Sequence, residues 1–404
     1  MRSYSNKIKL AVSILFSVVF CFGFAHSAVA AELYFEPQNQ TVRQDENFTV
    51  EVWLDTQNQD INAIEANLFF SQGKMELVDI SRGGSLLDLW LSEPNFSNET
   101  GEINFSGGMP KGFQGKGKLL SLTFRPVALG ADITTAQIIF QNSSKALLNN
   151  GYGSEASLSL QTADFVIMAA PKGLPVINSK THPNQLIWYA DNEPNFSWDA
   201  VQGADYSYQL SSSDKKIIAS GEKTSDGSAK IDSLDFDLSK EGDGVFYFSL
   251  RQKLPGQEWS IDAANFRVMI DTVPPEEFLP QVGKDDYISE GKYFISFAVK
   301  DKTSGISRYE IAEKDNLGIF NFIDDYFGKP AWKEAASPYL LARQDLKTKI
   351  LIKAVDKAGN ERVVKVIPSN SIVYWQVAAI VLVAAILIVT VAIIKKSKKA
   401  KSKN

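Results

Sequence analysis

Residues 48–55 read Phe-Thr-Val-Glu-Val-Trp-Leu-Asp. Phe48, Val50, Val52 and Leu54 alternate with Thr49, Glu51, Trp53 and Asp55. A period of two sends successive side chains to opposite faces, so this stretch is a strand with one side in a core and one toward solvent. Ile64, Ala66, Leu68 and Phe70 repeat the pattern against Glu65 and Asn67, and residues 102–106 and 120–124 continue it. Between them stand Gly107-Gly108, Gly112, Gly115 and Gly117. Many short strands broken by turn residues, with no long helical period, predict an all-β chain of antiparallel sandwiches. Only residues 85–91 (SLLDLWL) are expected to make a short helical turn.

Prolines divide the strands into units. Pro171 and Pro175 interrupt any ladder, and Pro274-Pro275 do so again. The expected units are 31–168, a linker at 169–174, then 175–270 and 271–368. Each is long enough for one sandwich.

Both ends carry membrane signals. Arg2, Lys7 and Lys9 precede an apolar run that ends in Ala28-Val29-Ala30, the small-x-small pattern of a signal-peptidase cut, so 1–30 reads as a signal peptide. Cys21, the only cysteine, falls inside it. Near the other end, WQVAAIVLVAAILIVTVAII at 375–394 has no charge, proline or glycine. A helix of that length spans a hydrocarbon core about 30 Å thick. The predicted span is 373–394, followed by a tail at 395–404 carrying six lysines and no acid. Lysines at one end of a span mark the cytoplasmic side. The expected location is the cell membrane, crossed in a single pass, with the N-terminal units outside and the tail within.

The part between has no cysteine and one histidine, His182, so no disulfide holds it. Of the 42 Lys and Arg, three lie in the leader and six in the tail, so 33 face all 47 Asp and Glu and the exported part stands near −14. That acidity argues against nucleic acid as a partner.

The first unit resembles a cohesin domain, the sandwich that receives a dockerin module in cellulosome scaffolds. The resemblance runs through 33–36, 44–52, 61–70, 75–80 and 101–107, and is best in Gly117-Lys-Leu-Leu-Ser-Leu-Thr-Phe124, which matches a G-x-L-x-x-L-x-F strand. The aspartate that often closes the family's third strand is missing after Phe70. The second unit is similar to a fibronectin type III or Ig-like domain, with Trp198 on an early strand and Tyr206 and Tyr208 on the next. The third resembles a bacterial Ig-like repeat through 271–275, 301–309 and 352–360. These resemblances imply a cohesin-like jelly roll followed by two Ig-like spacers. They imply a dockerin-type or other protein partner, or a polysaccharide.

Chemistry is sparse. Without a thiol, and with His182 expected in a solvated Thr-His-Pro linker, neither a nucleophile–base pair nor a zinc site can be assembled. The acid pairs Asp285-Asp286 and Asp324-Asp325 fall in turns. Asp301, Asp356 and Asn360 offer oxygen ligands for calcium, or simply cap turns; the reading adopted is no catalytic residue, no metal and no cofactor. Binding is expected on the first unit. Its candidates are the outward strand residues Glu65, Asn67, Asn104 and Ser106, and Leu86, Leu89 and Trp90 of the apolar run. Exposure would make that run a partner anchor, and burial under the sheet edge would make it core. Trp53, the one aromatic expected to face outward, favours a protein over a sugar.

Overall fold

The computed structural model describes residues 30–127, 130, 133–212, 222–223, 233–317, 329–368, 375–388 and 390. Apart from Ala30, the predicted leader lies outside these residues, as do the lysine tail and Asp324-Asp325.

The alternating stretches become the strands of a two-sheet sandwich. In chain order they are β1 (Ala31–Glu36), β2 (Asn39–Arg43), β3 (Phe48–Asp55), β4 (Ile61–Phe70), β5 (Met75–Ser81), β6 (Leu89–Ser97), β7 (Glu102–Phe113), β8 (Lys116–Pro126), β9 (Ile133–Phe140), β10 (Lys145–Leu148), β11 (Leu158–Leu160) and β12 (Thr162–Met168). One sheet runs β11-β1-β3-β8-β5; the other runs β2-β12-β9-β4-β7-β6, with β10 also on β4. Pairing is antiparallel except for β1 with β11 and β2 with β12. The inward residues of the alternation form the core. Phe35, Phe48, Phe105, Phe124 and Phe165 are fully buried, and the Phe48 ring lies 5.7 Å from Phe124 and 5.0 Å from Phe165. Each such side chain contributes about 1.5–3 kcal/mol by leaving water.

The second unit is also a two-sheet sandwich, a three-stranded sheet facing a five-stranded one. Trp198 and Tyr206 are buried with ring centroids 5.5 Å apart, around Phe196, Phe248 and Phe266. His182 departs from its expected place in a solvated linker. It is 0% exposed, its Nδ1 2.8 Å from Thr181 Oγ1 and its Nε2 2.8 Å from the Asp191 carbonyl, with the Tyr189 ring 4.4 Å away. An imidazole with both nitrogens and one face satisfied can be buried at little cost. The third unit pairs sheets of three and four strands over Phe278, Ile295, Ile311, Ile350 and Ile352.

The units do not trail from one another as separate beads. The second lies against β3 and the β2–β3 turn of the first: Arg267 donates to Thr49 at 3.0 Å, Arg43 donates to the Ala263 carbonyl at 2.7 Å and Asn265 donates to Glu46 at 2.6 Å. The third unit docks on the turn after β5. Lys357 Nζ reaches Asp79 Oδ1 at 2.6 Å and the Ile80 carbonyl at 2.7 Å, and Gly84 N donates to the Asp301 carbonyl at 2.9 Å. The backbones meet so closely that a Cβ on Gly83 would stand 2.0 Å from the Thr303 carbonyl oxygen. The two units expected as spacers both touch the first.

Residues 375–388 are helical with exposed apolar side chains, and among the described residues no helix is long and apolar enough to cross a membrane.

Candidate functional site

With the second unit against β3 and the β2–β3 turn and the third on the turn after β5, the first unit presents the outward face of β9-β4-β7-β6. Register brings four of the sequence candidates together there. Glu65 lies opposite Ser106, and Asn67 opposite Asn104, on neighbouring antiparallel strands. Directly opposed side chains sit about 5 Å apart, so the four form one patch. Asn95 continues it across β6, opposite Asn104, and Lys145 of β10 lies opposite Glu65. Ile139 of β9 lies opposite Phe69 and is exposed. Among the described residues the side chains of Glu65, Asn67, Asn104 and Ser106 make no hydrogen bond with one another or with the rest of the chain, so their donors and acceptors are available to a partner.

The apolar run divides. Residues 85–91 do not form the expected helical turn: they run from a turn into β6, which begins at Leu89. Leu86 packs half-buried on the core, and Leu87 is buried. Both fit because Gly107 and Gly117 face them; a Cβ there would meet Leu87 Cδ1 at 2.8 Å or Leu86 Cδ2 at 2.6 Å. Trp90 also turns to the core, its ring 6.0 Å from Phe105 with the Arg82 guanidinium 5.6 Å above it. Leu86 and Trp90 are therefore anchors of the fold and not free binding residues. Leu89 and Leu91 remain exposed, at the edge of a cleft of about 470 Å³ between β6 and the third unit. Leu89 lies opposite Gly108 and so borders the polar patch.

Trp53 is on the other sheet and does not stand alone. Its ring stacks on Tyr34 at 6.4 Å, and its Nε1 donates to Glu51 at 3.1 Å.

A second constellation joins the units. Oxygens of Asp271, Asp301 and Asp356 lie within 4.8 Å of one another, and all three residues are buried. The turn-capping role expected of Asp301 and Asp356 holds: Asp301 Oδ1 accepts from Thr303 N and Gly305 N, and Asp356 Oδ1 from Asn360 N. Asp271, read in the sequence only as part of a linker motif, completes the cluster. Burial pushes all three carboxyls above the usual carboxylate range, and each is raised further by a neighbour in the cluster. Such a set of hard oxygens suits a divalent cation.

No family model matches the chain, and no curated protein does. Solved structures similar to it are cohesin modules. A non-cellulosomal cohesin from the hyperthermophilic archaeon Archaeoglobus fulgidus is 16% identical with a TM-score of 0.28, over 36% of this chain and 94% of that one. A cohesin module of a Clostridium perfringens family 33 glycoside hydrolase is 13% identical with a TM-score of 0.28, over 35% of this chain and 98% of that one. The third ScaC cohesin of Acetivibrio cellulolyticus, solved with a ScaB dockerin, is 12% identical with a TM-score of 0.29, over 35% of this chain and 99% of that one. Likeness at this level adds nothing to the reading of the face.

Proposed function

We propose that this protein is a non-enzymatic binding protein of the cell surface. In this reading the chain is anchored by the apolar segment near its C-terminus, and its first unit offers the β9-β4-β7-β6 face to a protein partner of dockerin type. The observation that carries the reading is the unspent polar patch Glu65, Asn67, Asn104 and Ser106, bordered by exposed Ile139 and, toward the cleft with the third unit, by exposed Leu89. Polar groups that fix orientation beside apolar residues that leave water make a protein-recognition surface. Among the described residues the face carries no row of flat aromatics, which a polysaccharide would stack on; Phe69 is half-buried. His182, the only histidine among the described residues, has both ring nitrogens engaged, which leaves no free imidazole to act as a base.

The test is binding of the full chain in detergent to a panel of dockerin modules and of native polysaccharides. The double variant Asn67→Arg/Asn104→Arg places two long cations at the centre of the patch. It is expected to weaken binding at least a hundredfold with an unchanged melting temperature. Binding of the panel that is indifferent to these changes would move the site elsewhere, and polysaccharide binding lost in the same variant would favour a carbohydrate ligand.

A further inference from the structure

The carboxylates of Asp271, Asp301 and Asp356 come from three separate segments: the junction of the second and third units, a loop of the third, and the end of its long strand Thr348–Asp356. They are 0%, 5% and 1% exposed. Among the described residues no lysine, arginine or histidine forms an ion pair with any of them. Charges of one sign, buried together without a counter-ion, repel more strongly than they would in water. Backbone N–H groups offset part of this. Val273 and Ser304 donate to Asp271, Thr303 and Gly305 to Asp301, and Asn360 to Asp356. The Asn360 side-chain amide adds a bond to Asp356 Oδ2 at 2.8 Å, yet one carboxylate oxygen of each residue still lies within 4.8 Å of the others.

A second observation lies beside the carboxylates. Ser304 is 0% exposed, and its Oγ is buried with no partner in hydrogen-bonding geometry. Its own N–H holds Asp271 Oδ2 at 3.0 Å, and its hydroxyl lies close enough to that carboxyl to affect its acidity. A buried hydroxyl oxygen without a partner, beside the Asp271 carboxyl, is a fourth hard donor.

We propose that Asp271, Asp301 and Asp356, with Ser304 Oγ, form a calcium site. The donors are all oxygen, which excludes a preference for zinc or copper. The donors are buried protein oxygens, and magnesium keeps several of its waters whereas calcium accepts an irregular shell of protein oxygens. The site also has a mechanical consequence. The Asp301 carbonyl accepts from Gly84 N, and the Ser304 carbonyl accepts from Ser81 Oγ, both at 2.9 Å. Two of the four residues that would hold the ion, Asp301 and Ser304, also dock the third unit on the first. Calcium therefore locks the two units together.

The full chain in detergent, stripped with chelator, is titrated with calcium chloride and separately with magnesium chloride by calorimetry and by thermal melting. One calcium is expected to bind per chain, raising the melting temperature, with magnesium at least tenfold weaker. Asp356→Asn is expected to cut calcium affinity at least tenfold; if that variant does not fold, the wild-type titration decides alone. Small-angle scattering should show a more compact particle with calcium than with chelator. Neither heat nor a melting shift with calcium, or an equal response to magnesium, overturns the proposal.

Discussion

Arg267 Nη2 donates to Thr49 Oγ1 at 3.0 Å, across the boundary between the first and second units. It is the guanidinium's one side-chain hydrogen bond among the described residues. Nε and Nη1 are buried without an acceptor, and the side chain lines a cavity of about 650 Å³ with Glu51, Asp79, Trp188 and Tyr247. Burial pushes its pKa down. Desolvating a charge for one bond to a neutral hydroxyl is unfavourable, so Arg267→Met, which keeps the apolar stem, is expected to stabilise the protein by about 1–3 kcal/mol. Denaturant melts of both forms test this. A loss of stability would show that the free donors have a partner.

The contact at Gly83 separates docking from folding. A Cβ there collides with the backbone carbonyl of Thr303, which cannot move as a side-chain tip can. Gly83→Ala is therefore expected to part the first and third units while leaving the first unit's core intact. Scattering should report a larger radius of gyration, with near-ultraviolet dichroism preserved. An unchanged radius would mean that the two units separate too readily for this contact to matter.

His182 is expected to behave as a core residue. His182→Ala removes two hydrogen bonds and the ring contact with Tyr189, leaving the Asp191 carbonyl unsatisfied. A loss of about 1–3 kcal/mol follows. A solvated linker histidine would cost nothing measurable in the same melt.

Acid should weaken the third unit through Glu310. Hydrogen bonds from Lys353 and then Arg308, both at 2.8 Å, hold its carboxyl below the usual range. A carboxyl whose pKa is lower in the folded state adds stability that is fully present above its unfolded value of about 4.3 and is lost as pH falls through the folded one. The melting temperature is expected to drop more steeply in the wild type than in Glu310→Gln between about pH 5 and pH 3. Parallel curves would show that the pair contributes nothing. At neutral pH the variant is the less stable, because Lys353 is buried and loses one of its two carboxylate partners among the described residues, keeping Glu361 and the Trp332 ring.

The sequence by itself determined the strands, because alternation with a period of two is a local property: Phe48 and Val50 are buried, and Glu65 and Asn67 face outward, as the pattern requires. It also determined the aromatic core of the second unit around Trp198 and Tyr206. Tertiary structure decided what depends on which surfaces meet. Leu86 and Trp90 went inward and Leu89 and Leu91 outward because Gly107 and Gly117 leave room for some of the run and not all of it. His182 is buried because Thr181, Tyr189 and the Asp191 carbonyl fold around it. Asp271 joins Asp301 and Asp356 only when the junction between units closes on the end of a strand 85 residues further along. Such a meeting leaves no local pattern, since it depends on how far apart in the chain its residues are brought together and not on the order of their neighbours.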